Sequence, residues 1–284
     1  MCSPEVMGLV RAEMSRRGML GKLGAATAAA AVATLPGGVA RRAAAQATPA
    51  AATSHTFSTI TDLTHVWGPD FPVFFGATPP TFEVLATAEK DGYYKMKLTY
   101  DEHTGTHMDS PAHFTVGGTT AEKLPVTQLL APLVVVDISA KAAADPDAQG
   151  TVDDLAAWEK AHGPIPAGAF VALHSGWEAR LADPATFVNV DDSKVQHYPG
   201  WHPDAAKWLV EERDIAGAGV DTLSLDFGPS TDFASHLTFL PAGKFGLECL
   251  ANLASVPPVG ATLLVGGPKH ANASGGPSRV FALL

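Results

Sequence analysis

Residues 101–114 read Asp-Glu-His-Thr-Gly-Thr-His-Met-Asp-Ser-Pro-Ala-His-Phe and hold three of the eleven histidines of this 284-residue chain. His103, His107 and His113 share odd numbers with Asp109. Side chains two residues apart point to the same side of an extended segment. A glycine, two threonines and a proline within the stretch disfavour a helix. We therefore predict an extended or looped cradle that carries these four side chains.

The side chains of this cradle are typical metal ligands. Imidazole nitrogens combined with a carboxylate oxygen favour Zn²⁺, Mn²⁺ or Fe²⁺. Cys2 and Cys249 are the only cysteines, so a site built from several thiolates is excluded and a catalytic site is favoured over a structural one. Two alternatives stay open from the residues alone: a polar surface loop that gathered histidines by chance, and buried histidines satisfied by hydrogen bonds.

The composition around the cradle is that of a globular protein. Hydrophobic residues make up 46% of the chain and charged residues 17%, which is enough apolar material for a core. The net charge of −10 argues against non-specific binding to nucleic acid or to an anionic membrane, because both need a basic surface.

Apolar runs and helix signals alternate along the chain. Short apolar or alternating runs predict strands at 93–100, 133–138, 169–173 and 222–225. Helices are predicted from Thr151, an N-cap hydroxyl followed by carboxylates, and from Pro203. This order predicts an α/β fold with a mixed sheet in one domain over residues 56–284.

The first 47 residues differ from the rest. They carry six basic and two acidic side chains, which leaves 13 basic and 27 acidic side chains, or −14, for the remaining chain. The pair Arg16-Arg17, an Ala-rich apolar run and Ala43-Ala44-Ala45 follow the order of an export signal. We expect a twin-arginine signal at 1–47, a flexible lead-in at 48–55, and a periplasmic or extracellular protein. An Ala-rich helix of the fold and an uncleaved membrane tether are the alternatives.

Residues 103–113 match the pattern HxGTHxDxPxH and resemble the metal-dependent cyclase-like hydrolases, which include bacterial kynurenine formamidase and isatin hydrolase. The resemblance continues through Ser175-Gly176-Trp177, 219–226 and 275–279, and it covers roughly residues 57–284. It implies a swivelling β/β/α domain and a homo-oligomer, either a dimer or a tetramer.

The resemblance also implies a site, residue by residue. His103, His107 and Asp109 would bind a first metal ion, and His113 would be the general acid/base. His236 and Glu248 would hold a second ion with the shared aspartate, so that one or two Zn²⁺ or Mn²⁺ ions are expected per chain. Taken without the resemblance, His236 reads as a solvated loop histidine and Glu248 is unremarkable.

Other charged, aromatic and sulfur-containing side chains are expected to lie outside the ligand set. Asp101 and Glu102 are expected to be solvated charges. The aromatic residues between Trp67 and Phe75 either wall a pocket or cover the core under a loop. His174 is expected to be a structural histidine at a strand end, and Cys249 a buried inert thiol.

The implied reaction is hydrolysis of an amide or lactam C–N bond in a small aromatic substrate, of the N-formylkynurenine or isatin type, with a metal ion activating the water. No motif of a serine hydrolase or a phosphate-binding loop occurs. A small molecule is thus the expected partner, without nucleic acid or a stable membrane anchor. The alternatives are an exported metal-binding or ligand-binding protein without turnover, and a lactone hydrolase on the same fold.

Overall fold

A nine-stranded mixed sheet organises residues 56–284, the part of the chain that this computed structural model describes. The predicted export signal lies outside the described residues. The strands of the chain are, in order, β1 (Ile60–Asp62), β2 (Thr81–Ala86), β3 (Lys95–Thr99), β4 (His107–Asp109), β5 (Leu130–Asp137), β6 (Gln149–Gly150), β7 (Phe170–His174), β8 (Gly200–Trp201), β9 (Gly217–Val220), β10 (Phe245–Glu248), β11 (Ala261–Gly266), β12 (Gly275–Pro277) and β13 (Arg279–Leu283).

The main sheet has the order β1-β13-β11-β5-β7-β9-β10-β4-β12. The neighbours from β5 to β10 are parallel, and all the other pairs are antiparallel. Two small ribbons, β2-β3 and β6-β8, lie outside it. The predicted α/β class with a mixed sheet is therefore confirmed.

Six helices accompany the strands in the described part of the chain. They are α1 (Ala88–Asp91), α2 (Ser139–Ala144), α3 (Val152–His162), α4 (Pro184–Val188), α5 (Pro203–Arg213) and α6 (His236–Phe239). Helix α3 begins as predicted, because the Thr151 hydroxyl accepts from the Asp154 backbone N–H while the Asp154 carboxylate accepts from the Thr151 N–H. Its buried Leu155 and Trp158 pack over the sheet.

The core lies on both faces of the sheet. Helices α3 and α5 cover one face, where Leu155 and Leu209 pack against the parallel strands. The other face buries residues from β5, β11 and β13. Each residue of β7 and β9 is buried, which explains why these strands are short runs of apolar or small residues.

The strand predicted at 222–225 is wrong. Strand β9 ends at Val220, and the chain then turns. The Asp221 carboxylate accepts hydrogen bonds from the backbone N–H groups of Ser175, Gly176 and Trp177, while the Leu225 N–H donates to a side chain rather than to a neighbouring strand. The Thr222 and Leu225 carbonyl oxygens accept from the backbone N–H groups of Cys249 and Trp201, so the segment makes scattered bonds in place of the continuous ladder that the apolar pattern predicted.

Candidate metal centre

The cradle predicted at residues 103–113 is looped, with a short strand at its centre. His107 and Asp109 lie on β4, two residues apart, and their side chains share one face. His103 lies on the preceding loop, which turns at Gly105 with a φ of +67°. His113 ends a short 3-10 helix that begins at Pro111. The predicted alternation along an extended strand therefore applies only to His107 and Asp109. Turns in the backbone bring His103 and His113 to the same place.

Strand β10 brings the distant residues to the cradle. It pairs antiparallel with β4, and the register places Glu248 opposite His107 and Gly246 opposite Asp109. A Cβ at Gly246 would lie 3.1 Å from Asp109 Oδ2, so the glycine leaves room for the carboxylate. His236, the first residue of α6, has its Nε2 3.2 Å from Glu248 Oε1. It is buried and not the solvated loop histidine expected from the residues alone.

The assembled side chains form two overlapping groups that could each hold an ion. The groups are His103, His107 and Asp109, and Asp109, His236 and Glu248, with the candidate ligand atoms of each group within 4.8 Å of one another. His107 Nε2 and Asp109 Oδ2 are buried and lack a hydrogen-bond partner. Buried polar atoms of this kind are costly unless something binds them. The donor set therefore fits a divalent cation, and the assignment of individual ligands stays a prediction.

Partners outside the cluster orient two of its imidazoles. His107 Nδ1 lies 2.9 Å from the Gly105 carbonyl oxygen, so Nδ1 donates a proton outward and Nε2 is the nitrogen that faces the cluster. His236 Nδ1 lies 2.6 Å from Asp226 Oδ2 in the same manner. Outer acceptors of this kind fix the tautomer and ring orientation of metal-binding histidines.

The buried carboxylates dominate the electrostatics of the cluster. Burial by itself lowers the pKa of His107, but Glu248 and Asp109 overcome this and raise it to about 9. Burial raises the pKa of Asp109, yet the hydrogen bond from His103 and the adjacent imidazoles of His236 and His107 hold it well below its ordinary value. Asp109 is therefore a carboxylate at neutral pH, and its negative charge stabilises positive charge at the centre of the cluster.

His113 has different surroundings. Its ring stacks on His103, with centroids 3.7 Å apart and the planes at 19°. Burial, reinforced by the neighbouring His103 and His236, lowers its pKa to about 4. His113 is consequently an uncharged imidazole at neutral pH and is able to accept a proton.

A cavity of about 270 Å³ opens from the cluster. Phe74, Phe114 and Phe233 line it, and the Phe233 ring touches both others, with centroid distances of 6.4 Å to Phe74 and 5.6 Å to Phe114. Among the described residues, neither lysine nor arginine lines this cavity. Its chemistry is therefore that of an apolar aromatic chamber above a cluster of histidines and carboxylates.

The aromatic stretch at 67–75, His174 and Cys249 lie in different surroundings. Phe74 lines the cavity, whereas Phe71 is buried in the core, so the aromatic stretch does both. His174 lies 3.4 Å from Asp137 Oδ1 at the end of β7 and outside the cavity lining, as a structural histidine would. Cys249 is buried, and burial raises the pKa of its thiol well above the ordinary value.

The prediction of solvated charges is wrong for Glu102. Its carboxylate accepts from the backbone N–H and the hydroxyl of Ser274, 172 residues away in sequence. Asp101 is exposed at the cavity mouth. Nothing in the sequence near Glu102 could indicate Ser274, because the contact exists only once β12 is placed beside β4.

Asp226 and Phe233 are two site residues that sequence reasoning missed. Asp226 lies in the 219–226 segment that carries the resemblance, but its bond to His236 appears only in the fold. Phe233 has a φ of +52°, and a bulky residue in the left-handed region usually reflects a local constraint.

Comparisons with known proteins identify the family of this chain. The family described as putative cyclase matches residues 61–227. Isatin hydrolase of Roseibium aggregatum is 34% identical over 242 residues, which cover 79% of this chain and 91% of that protein. Kynurenine formamidase of Salinibacter ruber is 29% identical over 162 residues, covering 57% of this chain and 66% of that protein.

Solved structures agree with the sequence relatives. Isatin hydrolase A from Ralstonia solanacearum superposes with a TM-score of 0.75 at 36% identity, covering 80% of this chain and 92% of that one. An isatin hydrolase bound to the product analogue thioisatinate gives the same TM-score at 32% identity, covering 79% and 92%.

Proposed function

The chain belongs to the putative cyclase family of metal-dependent hydrolases, and on that premise we propose that it cleaves the amide C–N bond of a small aromatic compound. A cyclic amide of the isatin type is the first candidate substrate. An aryl formamide such as N-formylkynurenine is the second. In each of these compounds, the bond to be cleaved is a C–N bond other than a peptide bond.

The observation that carries this proposal is the position of the phenyl-lined cavity directly above the metal-fitting cluster. Flat aromatic rings pack favourably against phenyl side chains. N-Formylkynurenine also carries an α-carboxylate, and the described cavity lining offers no lysine or arginine to pair with it. Isatin carries no charge, so the cavity favours the cyclic amide.

The ion would be held by His103, His107 and Asp109, with His236 and Glu248 completing a second position beside the shared carboxylate. Zn²⁺ and Mn²⁺ are the ions we propose, because both accept imidazole and carboxylate ligands. When bound, such an ion supplies a Lewis acid for the amide carbonyl and lowers the pKa of bound water to about 7.

His113 moves the proton in this scheme. Its uncharged ring takes a proton from the attacking water, whose oxygen forms the new bond to the carbonyl carbon. The C–N bond then breaks, and His113 returns the proton to the departing nitrogen. A cyclic amide thereby opens to one molecule that carries a carboxylate and an aryl amine.

A comparison of wild type with His113→Ala tests the proposal. We expect metal-loaded wild type to open isatin, with the loss of its absorption as the readout. The variant should retain its metal and lose about 10²- to 10⁴-fold in kcat. A wild type that binds isatin but converts neither isatin nor N-formylkynurenine would instead support a binding protein without turnover.

We also propose that the protein is exported, with cleavage near Ala47. The support is the twin-arginine pair followed by an apolar run and a small-residue cleavage site. Among residues 56–284, no helix combines the length and apolar character needed to cross a bilayer. N-terminal sequencing of protein from its native host should find a start near Thr48, and an intact Met1 on cytoplasmic protein would contradict export.

We also propose that the protein forms a homo-oligomer, either a dimer or a tetramer. The two-stranded ribbon β2-β3 exposes apolar side chains that a monomer would leave in water, and such a ribbon is marginally stable alone. The exposed residues are Val84, Leu85, Tyr93, Tyr94 and Leu98. Light scattering coupled to gel filtration should give a multiple of the chain mass, and Leu85→Glu should shift it toward the monomer.

A further inference from the structure

The outer partner of His103 differs from those of the other two imidazoles. His107 and His236 donate to a carbonyl and a carboxylate, groups that can only accept. His103 Nε2 instead lies 2.9 Å from the hydroxyl oxygen of Ser274. A hydroxyl can donate or accept, so Ser274 alone would leave the tautomer of His103 undecided.

Glu102 decides the direction of this bond. Its Oε2 lies 2.5 Å from Ser274 Oγ, and a carboxylate only accepts, so the hydroxyl proton of Ser274 goes to Glu102. Ser274 Oγ must then accept from His103, which places a proton on Nε2. His103 Nδ1, 2.6 Å from Asp109 Oδ1, faces the cluster, and a bound ion would take the place of the proton that Nδ1 shares with this carboxylate.

Ser274 is itself held firmly in place. Its backbone N–H donates to Glu102 Oε2 at 2.9 Å, and its carbonyl oxygen accepts from both the N–H and the hydroxyl of Ser110 at 2.8 Å. The next residue, Gly275, approaches so closely that a Cβ there would lie 2.7 Å from His103 Cε1. The segment that leads into β12 therefore contacts the His103 ring at Nε2 and Cε1, while Asp109 contacts it at Nδ1.

We propose that Glu102 and Ser274 are positioning residues that fix the tautomer of His103, direct its Nδ1 to the metal ion, and hold its ring as the platform on which His113 stacks. Neither residue touches the substrate in this scheme. The inference rests on the proposed function only through the metal site, and it is independent of which amide is cleaved.

Metal binding, measured without substrate, tests the relay. We expect Ser274→Ala to raise the apparent Kd for Mn²⁺ about 10- to 100-fold in calorimetric titrations of the chelator-treated protein, because outer partners of metal-binding histidines have effects of this size. The melting temperature of the metal-free protein should change little. Glu102→Gln should weaken binding less, because its amide can also donate to Ser274 and so leaves both directions open.

A matched control is Ser278→Ala, which removes a serine hydroxyl from the same C-terminal segment. Ser278 Oγ bonds only the Gly276 carbonyl, so its loss should leave the Kd for Mn²⁺ unchanged. Wild-type affinity in both Ser274→Ala and Glu102→Gln would overturn the proposal, as would an equal loss in Ser278→Ala. If Ser274→Ala does not fold, Glu102→Gln alone decides.

The tautomer gives a second readout. In ¹⁵N-histidine spectra of the Zn²⁺-loaded wild type, His103 should carry its proton on Nε2, and a proton on Nδ1 would contradict the relay. A wild type that binds Mn²⁺ tightly but cleaves no amide would remove the proposed function and leave this inference standing.

Discussion

The two halves of the candidate metal centre reach the same place by different routes. His103, His107 and Asp109 lie within seven residues of one another, on a loop and the short strand β4. His236 and Glu248 come from more than a hundred residues further along, through α6 and β10. The first half is local and partly exposed at His103, whereas each side chain of the second half is buried.

The difference lies in what holds each half. In the local half, a strand and a glycine turn place the three ligands close together, and the distant Ser274 then bonds His103 Nε2. The distant half depends on the β4-β10 register, which sets Glu248 opposite His107, and on Asp226, which holds both the backbone N–H and the ring of His236. Asp109 belongs to both halves, so variants can remove both halves or one.

The largest effect is expected for Asp109→Asn, which removes the carboxylate that the two halves share. The amide keeps the size of the side chain but not its charge, so neither ion position stays intact. We expect elemental analysis to find almost no bound metal and kcat/KM to fall by at least about 1,000-fold.

The control for this prediction is Asp137→Asn, at the exposed end of β5, which is four positions from β4 in the order of the sheet. It should keep both metal and turnover. Retention of full metal content and activity by Asp109→Asn would remove this residue from the ligand set.

Glu248→Gln should separate the halves. Gln can still accept from the Leu225 N–H, which lies 2.8 Å from Glu248 Oε1, but it loses the negative charge that offsets a second cation. Loss of about half the metal supports two ions per chain. Unchanged metal with impaired turnover supports one ion, and no change in either quantity would place Glu248 outside the site.

The local half was predictable because residues 103–109 contain both the ligand side chains and the spacing that places them together. The parity of His107 and Asp109 along a strand needs no tertiary information. The roles of His236 and Glu248 came only from resemblance, since a separation of twelve residues is not a whole number of helical turns and Pro241-Ala242-Gly243 interrupts any regular element between them.

The outer partners were beyond the sequence for a related reason. Asp226 lies in an irregular segment and bonds His236 on α6, while Glu102 and Ser274 are 172 residues apart, and neither contact follows from a spacing pattern. The strands β5 and β7 could be predicted from the sequence because each contains a continuous run of buried apolar residues. The prediction at 222–225 was wrong because the backbone there makes scattered bonds, to the Glu248 side chain and to the N–H groups of Cys249 and Trp201, rather than a continuous strand ladder.

Phe233 joins the two halves on the substrate side, between Phe74 and the Phe114 that follows His113. Phe233→Ala should raise the KM for isatin about tenfold with little change in kcat, which is the size of one aromatic contact. Phe233→Gly should lose the same affinity yet be about 1 kcal/mol more stable than the alanine variant in urea unfolding, because glycine adopts a φ of +52° freely.

Phe75→Ala is the matched control for the phenyl ring. Phe75 is 46% exposed and does not line the cavity above the metal cluster, so its loss should leave the KM for isatin unchanged. Equal KM values for wild type and Phe233→Ala would take Phe233 out of the substrate contact.

The smallest effect concerns His197, a histidine between carboxylates that lies outside both halves. Its Nδ1 is 2.8 Å from Asp147 Oδ2, and its Nε2 is 3.5 Å from Asp191 Oδ2. The two nitrogens of one ring point in opposite directions, so these carboxylates cannot join His197 around a single ion. The hydrogen bond to Asp147 nevertheless raises the pKa of His197 above its ordinary value.

A histidine whose pKa is raised by folding adds stability that is fully present below its unfolded pKa of about 6.5 and is lost as the pH rises through the folded value. Asp147→Asn should therefore lower the free energy of unfolding at pH 6 more than at pH 9. The difference should stay below about 1 kcal/mol because the pair is partly solvated. Urea unfolding at the two pH values measures it, and metal content should not change. A larger loss at pH 9 would contradict a pKa of His197 that Asp147 raises. A loss of metal would mean that proximity to carboxylates matters more than burial in deciding which histidines of this chain bind an ion.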